Sequence, residues 1–334
     1  MGGKFSRARP TATARAVKDC REGFEVETEN VKKKPNVLKH VTSRRRREVS
    51  DDYRVMKRKL GQGAHGTVRL AQKKHGKKEM VALKSVVKKG YRTVQLLRRE
   101  ISILTSLQDP GIAKLLDVYE TETSVHMVLE LCQLELFDYV VDSECLEETE
   151  TKDFVRQILN IVSRLHDNGI VHRDLKTENV MIGQNGKLKI IDFGLSNHYM
   201  EGDKNQLRSK VGTALYVAPE IMQRMPYTNK CDLWSVGVMT YFMICGYPPF
   251  MGESDAEIIK QSISGNVPFP EEEWDYVSEE AKDFILSLLA VNPDHRISAS
   301  QALNSPWLKQ KSDKKQIATD TLNIPQPKPQ DEYY

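Results

Sequence analysis

His172-Arg173-Asp174-Leu175-Lys176-Thr177-Glu178-Asn179 sets an acid, a cation and an amide within eight residues, and Asp192-Phe193-Gly194 brings a second acid thirteen residues after Asn179. The run Leu188-Lys189-Ile190-Ile191 is apolar and reads as a short strand delivering Asp192 at its end. Two carboxylates, an ammonium and an amide oxygen can hold a metal–nucleotide beside a hydroxyl nucleophile. Each residue taken singly is explained as a loop charge or a cap. The ordered set is not.

Working outward, Leu60-Gly61-Gln62-Gly63-Ala64-His65-Gly66-Thr67-Val68 contains a GxGxxG spacing. Alone this fits an ordinary Gly-rich turn, or a dinucleotide-binding unit whose glycines end a strand and open a helix. Here Thr67-Val68-Arg69-Leu70-Ala71 is strand-like, so the glycines are placed in a hairpin that can lie over phosphates. That argues against the dinucleotide-binding fold. Lys84, in Val81-Ala82-Leu83-Lys84, is a cation in an apolar strand and needs a partner. Glu100 on the helix that follows is the candidate, and a surface pairing of Glu100 with Arg98 or Arg99 is the alternative. The place of Glu100 beside Leu97, Ile101 and Leu104 favours the inward pair.

Tyr53–Leu60, Thr67–Gln72 and Met80–Val87 read as consecutive antiparallel strands, and Val125–Leu131 as another. Val94, Leu97, Ile101 and Leu104 recur at helical spacing, which predicts a helix over Thr93–Leu107. From about Glu147 helices dominate. Ser278 is a good N-cap, and Ala281, Phe284, Ile285, Leu288 and Leu289 form one apolar face behind it. The expected fold class is α+β: a small antiparallel β-rich lobe with one helix (53–132), then a larger helical lobe (133–308).

The 334 residues carry a net charge of +4, with fourteen Lys/Arg against five Asp/Glu in residues 1–47. The rest is therefore mildly acidic. The arm 1–52, with Arg44–Arg47 in a row, reads as mostly disordered. It is either a contact for acidic lipid or nucleic acid or simply a solvated tail. Residues 309–334, with Pro325, Pro327 and Pro329, read as a loose tail. Five cysteines, an odd number without a CxxC pair, argue against a disulfide framework or a zinc site and fit a reducing cytosol. The apolar run Val236–Cys245 is too short to span a bilayer and reads as a buried helix, and no secretory segment opens the sequence.

Together these motifs resemble those of eukaryotic protein kinases, in order, over about Tyr53–Leu308. Val217-Ala218-Pro219-Glu220 resembles the end of an activation segment, and Asp232-Leu233-Trp234 the helix that braces the catalytic loop. Arg296 resembles the arginine that pairs with that glutamate. The resemblance implies ATP and Mg²⁺ as cofactors and proteins as substrates. Leu60 to Val68, Ala82, Glu130 and Cys132 would then contact nucleotide, and Lys84, held by Glu100, its phosphates. Asp174 would orient the acceptor hydroxyl, Lys176 neutralise the phosphoryl group, and Asn179 and Asp192 ligate the metal. Lys176, with Gly212-Thr213 before Tyr216, is similar to serine/threonine kinases, where Thr213 would brace Asp174 and Lys176. The competing class is a scaffold without catalysis, against which Lys84, Asp174, Asn179 and Asp192 all stand.

Glu135-Leu136-Phe137-Asp138 and Gly246-Tyr247-Pro248-Pro249-Phe250 are similar to the calcium/calmodulin-dependent group, and calcium-dependent kinases look closest. In basophilic relatives, counterparts of Glu135 and Glu178 read an arginine three residues before the acceptor. Arg173 beside Asp174 suggests control by a phosphate on Ser209. The alternative is a kinase active without it. No EF-hand loop occurs and no calmodulin-type helix follows Trp307, so no intrinsic calcium site is expected. Met1-Gly2-Gly3-Lys4-Phe5-Ser6 matches the N-myristoylation pattern at Gly2, with basic neighbours as a second membrane signal. The protein is expected in the cytoplasm as a monomer, able to sit on a membrane's cytoplasmic face, and not on nucleic acid. Two departures from the family stand out. Thr177 takes the place of a proline, which would fix the backbone. Leu131–Glu135 is one residue short and lacks a glycine pair.

Overall fold

A computed structural model describes residues 48–63, 66–183, 186–199 and 207–310. It begins with a single helical turn, α1 (Val49–Asp52). The sequence pattern placed these residues in the disordered arm. They are held instead by tertiary contacts, with Lys74 donating to the Ser50 carbonyl (2.6 Å) and Tyr119 to Asp52 (2.9 Å).

The first lobe is an antiparallel sheet in the order β1-β2-β3-β5-β4, formed by β1 (Tyr53–Gly63), β2 (Gly66–Lys73), β3 (Met80–Val87), β4 (Leu115–Glu120) and β5 (Ser124–Glu130). Period-2 alternation sorts its two faces. Tyr53, Ala71, Val81, Leu83, Tyr119 and Val128 pack on one side. Val86, Val125 and Met127 face α2 (Tyr91–Ser106) on the other, which buries Val94, Leu97 and Ile101 against them. The glycine hairpin is confirmed, with Gly63 opposite Gly66. Gly66 sits at φ +117°, and a Cβ there would lie 2.4 Å from the Ser85 carbonyl oxygen, so a side chain does not fit. Ala64 and His65 at the hairpin tip lie outside the described residues, as does Gly2.

After β5 the chain passes through β6 (Leu134–Glu135) into α3 (Leu136–Asp142) and α4 (Glu148–Asp167). Then come β7 (Ile170–Val171), a 3₁₀ turn (Thr177–Asn179), β8 (Val180–Ile182), β9 (Leu188–Ile190) and β10 (Asn197–His198). A small sheet β6-β8-β9 and the pair β10-β7 frame the loop between them. The remainder is helical: α5 (Pro219–Met222), α6 (Lys230–Cys245), α7 (Asp255–Ser264), α8 (Glu271–Trp274), α9 (Glu279–Leu288), α10 (Ala299–Leu303) and α11 (Pro306–Lys309). Every residue of α6 from Cys231 to Cys245 is buried, as a helix apolar all round must be. It packs against α4 and α9 and anchors the large core. Among the described residues no helix is long and apolar enough to cross a membrane.

The capping prediction holds. The Ser278 hydroxyl accepts the Ala281 N–H (3.2 Å) and donates to Glu148 (2.7 Å), which ties the start of α9 to α4.

Candidate active site

The two lobes meet along β9 and the segment after it. The Ile190 N–H donates to the Gly111 carbonyl (2.8 Å), and the Ala113 N–H to the Ile190 carbonyl (3.2 Å). Lys189 reaches Glu130 at 3.1 Å. Both adjoin the cleft in which the candidate residues gather.

On the cleft-facing side of the first sheet, Lys84 is in register with Val68 and Met127, and Ala82 with Leu70 and Leu129. Lys84 is buried, and its Nζ lies 2.7 Å from Glu100 Oε1 and 2.8 Å from Asp192 Oδ1. The inward pair read from the α2 seam is therefore the one formed. Burial alone would lower the Lys84 ammonium. The Asp192 and Glu100 carboxylates outweigh it and hold the group above its ordinary value, so it stays charged. Leu60 and Val68 are half-buried near the base of the hairpin, while Gly61, Gln62 and Gly63 are exposed. Thr67, the second residue of the return strand, lies opposite Gln62. Glu130 and Cys132 stand where the chain crosses between lobes. Burial, and then the Glu130 charge, push the Cys132 thiol up to about 11.

The loop itself is strained and braced. Arg173 has φ 71° and Asp192 φ 58°, left-handed values for residues with side chains. Such backbone costs on the order of 1–3 kcal/mol per residue and persists where neighbours impose it. Asp232 on α6 imposes it here, accepting the N–H groups of His172 (2.9 Å) and Arg173 (2.8 Å) and bonding His166 Nε2 (2.9 Å). Burial would raise the Asp232 carboxyl. The His166 bond, the histidine charges and the Arg173 N–H lower it, so the brace stays ionised.

Asp174 is fixed from three sides. Asn179 Nδ2 donates to its carbonyl (2.8 Å) and to Oδ2 (3.2 Å), and Thr213 Oγ1 donates to Oδ1 (3.1 Å). Lys176 Nζ donates to Thr213 (3.0 Å) and stands 3.7 Å from Asp174 Oδ2. Gly212, at φ +108°, lets the incoming segment approach the Arg173 carbonyl, 3.0 Å from where a Cβ would sit. Asp192 Oδ1 also accepts the Gly194 N–H (3.1 Å), and Phe193 packs edge-on against the buried His172 ring at 4.9 Å.

Glu135 precedes α3, and its backbone pairs with Met181, three residues past Glu178. This places the two candidate arginine readers on adjoining segments. Arg173 donates to the Leu195 carbonyl (2.6 Å) and the Tyr227 hydroxyl (3.1 Å), and Tyr227 donates to the Ser209 carbonyl (2.9 Å). Ser209 is exposed and is thus linked to Arg173 through Tyr227 rather than directly. The Glu220–Arg296 pair is present and buried, with bonds of 2.7 and 3.0 Å. Sequence reasoning missed Tyr227, His166 and the part played by Tyr216. Each is a polar side chain whose partner is distant in sequence, and no local signal marks it.

A buried lysine held between Glu100 of α2 and Asp192, beside a braced Asp174 loop, gathers the candidate residues where the two lobes meet. Residues 54–308 match the protein kinase domain. The chain is 41% identical over 265 residues to calcium/calmodulin-dependent protein kinase type 1 of Macrobrachium nipponense, covering 78% of this chain and 76% of that one. It is 40% identical over 254 residues to the Caenorhabditis elegans protein of the same name (75% and 72% covered). It is 39% identical over 267 residues to calcium-dependent protein kinase 3 of Plasmodium berghei, covering 79% of this chain and 48% of that relative. The chain belongs to the protein kinase family and is a serine/threonine protein kinase.

Proposed function

We propose that the cleft takes ATP with Mg²⁺ and that the enzyme phosphorylates Ser/Thr in peptides carrying an arginine three residues before the acceptor. The observation that carries the nucleotide reading is Lys84, charged and aimed by Glu100 and Asp192 in one buried cluster. The hairpin from Leu60 to Val68 offers backbone N–H groups to the phosphates. Ala82 forms part of the wall, and the backbone at Glu130 and Cys132 supplies the edge for the adenine.

The residues fit Mg²⁺. Among the described residues no three or more His, Cys, Asp or Glu side chains converge as a metal cage. Mg²⁺ is commonly held by one or two carboxylates plus substrate phosphates, on hard oxygen donors. Asp192 supplies the carboxylate. Asn179 commits its amide nitrogen to Asp174, which leaves the amide oxygen as a ligand. Bound there, the metal would neutralise phosphate charge and orient the transferring group. Asp174 accepts or orients the acceptor's hydroxyl proton, with Thr213 and Asn179 limiting its rotation. Lys176 stabilises the charge on the group in flight.

The acceptor preference rests on Glu178 and Glu135, carboxylates on adjoining segments beside this loop. The test is a degenerate peptide library phosphorylated by wild type and Glu178→Ala. The expected result is phosphate on Ser/Thr alone, an arginine preference in wild type, and loss of about 1–2 kcal/mol of that preference in the variant. An unchanged arginine preference would sink the specificity reading.

A further inference from the structure

Thr177, which stands where the resembled family carries proline, is fully buried. Its Oγ1 lies 2.8 Å from the Tyr216 hydroxyl and 3.1 Å from Glu178 Oε2. Proton counting fixes the direction of this chain of bonds. The Thr177 hydroxyl has one proton, and it donates that proton to Glu178 Oε2. Its oxygen then receives the Tyr216 proton. Burial, and after it the Glu178 charge, raise the Tyr216 phenol well above its ordinary value, so it keeps that proton.

Tyr216 is itself pinned. Its N–H donates to the Thr213 carbonyl (2.9 Å), and its carbonyl accepts the Ser235 hydroxyl of α6 (2.9 Å). A continuous path therefore runs from the buried core helix through Tyr216 and Thr177 to a half-buried carboxylate beside the catalytic loop. Proline at this position would stiffen the backbone but could neither receive the phenol proton nor hold the carboxylate. With Oε2 tethered, Glu178 loses rotamer freedom before substrate arrives. Preorganisation of that kind raises affinity by removing ordering entropy from the binding step.

We propose that Thr177 is a positioning residue for substrate specificity: its hydroxyl, fed by Tyr216, aims the Glu178 carboxylate at the arginine of the substrate peptide. This rests on the reading of Glu178 as the arginine acceptor. Thr177→Val removes the hydroxyl at nearly constant shape, and Thr177→Ser restores it. The measurements are anisotropy binding of labelled peptides with and without the arginine, alongside steady-state KM values for peptide and ATP. Thr177→Val should weaken the arginine peptide about five- to twentyfold and leave the arginine-free peptide and the ATP KM within about twofold. Thr177→Ser should lie within about twofold of wild type for both peptides. Should the valine variant fail to fold, Tyr216→Phe, which removes the phenol's bonds to Thr177 and Glu178, is expected to shift the arginine peptide alone. A valine variant that keeps the wild-type arginine preference, or loses both peptides equally, overturns the inference alone. A wild type indifferent to the arginine overturns the reading of Glu178 and this inference with it.

Discussion

Lys84 and Cys132 show how neighbouring charges decide the outcome when burial disfavours the charged form of a group. Lys84 is buried yet held in its charged form, because two carboxylates lie within 2.8 Å. Cys132 has burial and the Glu130 charge acting together, and its thiol rises to about 11. Below that value the neutral thiol dominates, and only the thiolate alkylates. Iodoacetamide labelling of Cys132, followed by peptide mass spectrometry, should climb about tenfold per pH unit between about pH 7 and 10 without levelling. A plateau near pH 8–9 would show an ordinary thiol. At this scale the charged site was legible in sequence. Lys84, Glu100, Asp174, Asn179 and Asp192 each lie in a short local pattern, an apolar strand, a helix seam or a polar loop, that marks them in the sequence. The hydroxyl groups that orient them were less so, since Tyr216, Tyr227 and Ser235 act on partners 18 to 54 residues away.

Among elements, α6 is the support for the rest. Its Asp232 holds the strained loop, its Ser235 holds Tyr216, and its neighbour Arg296 pairs with Glu220 at the end of the activation segment. Arg296 also stacks over Trp234 at 5.1 Å. Removing one member of a buried ion pair leaves the other charge uncompensated, at about 3–5 kcal/mol. Arg296→Met should therefore lower Tm by roughly 8–15 °C in differential scanning fluorimetry. A fall of under about 2 °C would show that Glu220 finds another partner or that the pair contributes nothing. The long elements were readable: β1 to β3 as short apolar-rich runs between turns, α2 and α9 by their apolar stripes, α6 by its continuous apolar run. β4 was not read, because Asp117 and Glu120 interrupt its alternation and a bulge between Leu115 and Asp117 shifts its register. α1 was not read because four residues carry no period, and it exists only through contacts with Lys74 and Tyr119.

For the whole molecule, two lobes of different architecture together build the candidate catalytic site. The sheet lobe brings Lys84, the helical lobe brings Asp174 and Asn179, and Asp192 joins them across the cleft at 2.8 Å. The arrangement of lobes was legible from the switch between strand and helix patterns. The closeness of the cleft was not, since it depends on the Ile190, Glu130 and Lys189 contacts between segments far apart in the chain. The central claim is tested most directly by γ-labelled ATP transfer to a Ser/Thr peptide, with wild type compared against Asp174→Asn and nucleotide affinity measured alongside. Asparagine keeps the shape and the Thr213 contact but cannot accept the hydroxyl proton. Turnover should fall by about 10²–10⁴-fold, with ATP affinity within about threefold of wild type. Turnover in the variant within about threefold of wild type would contradict it.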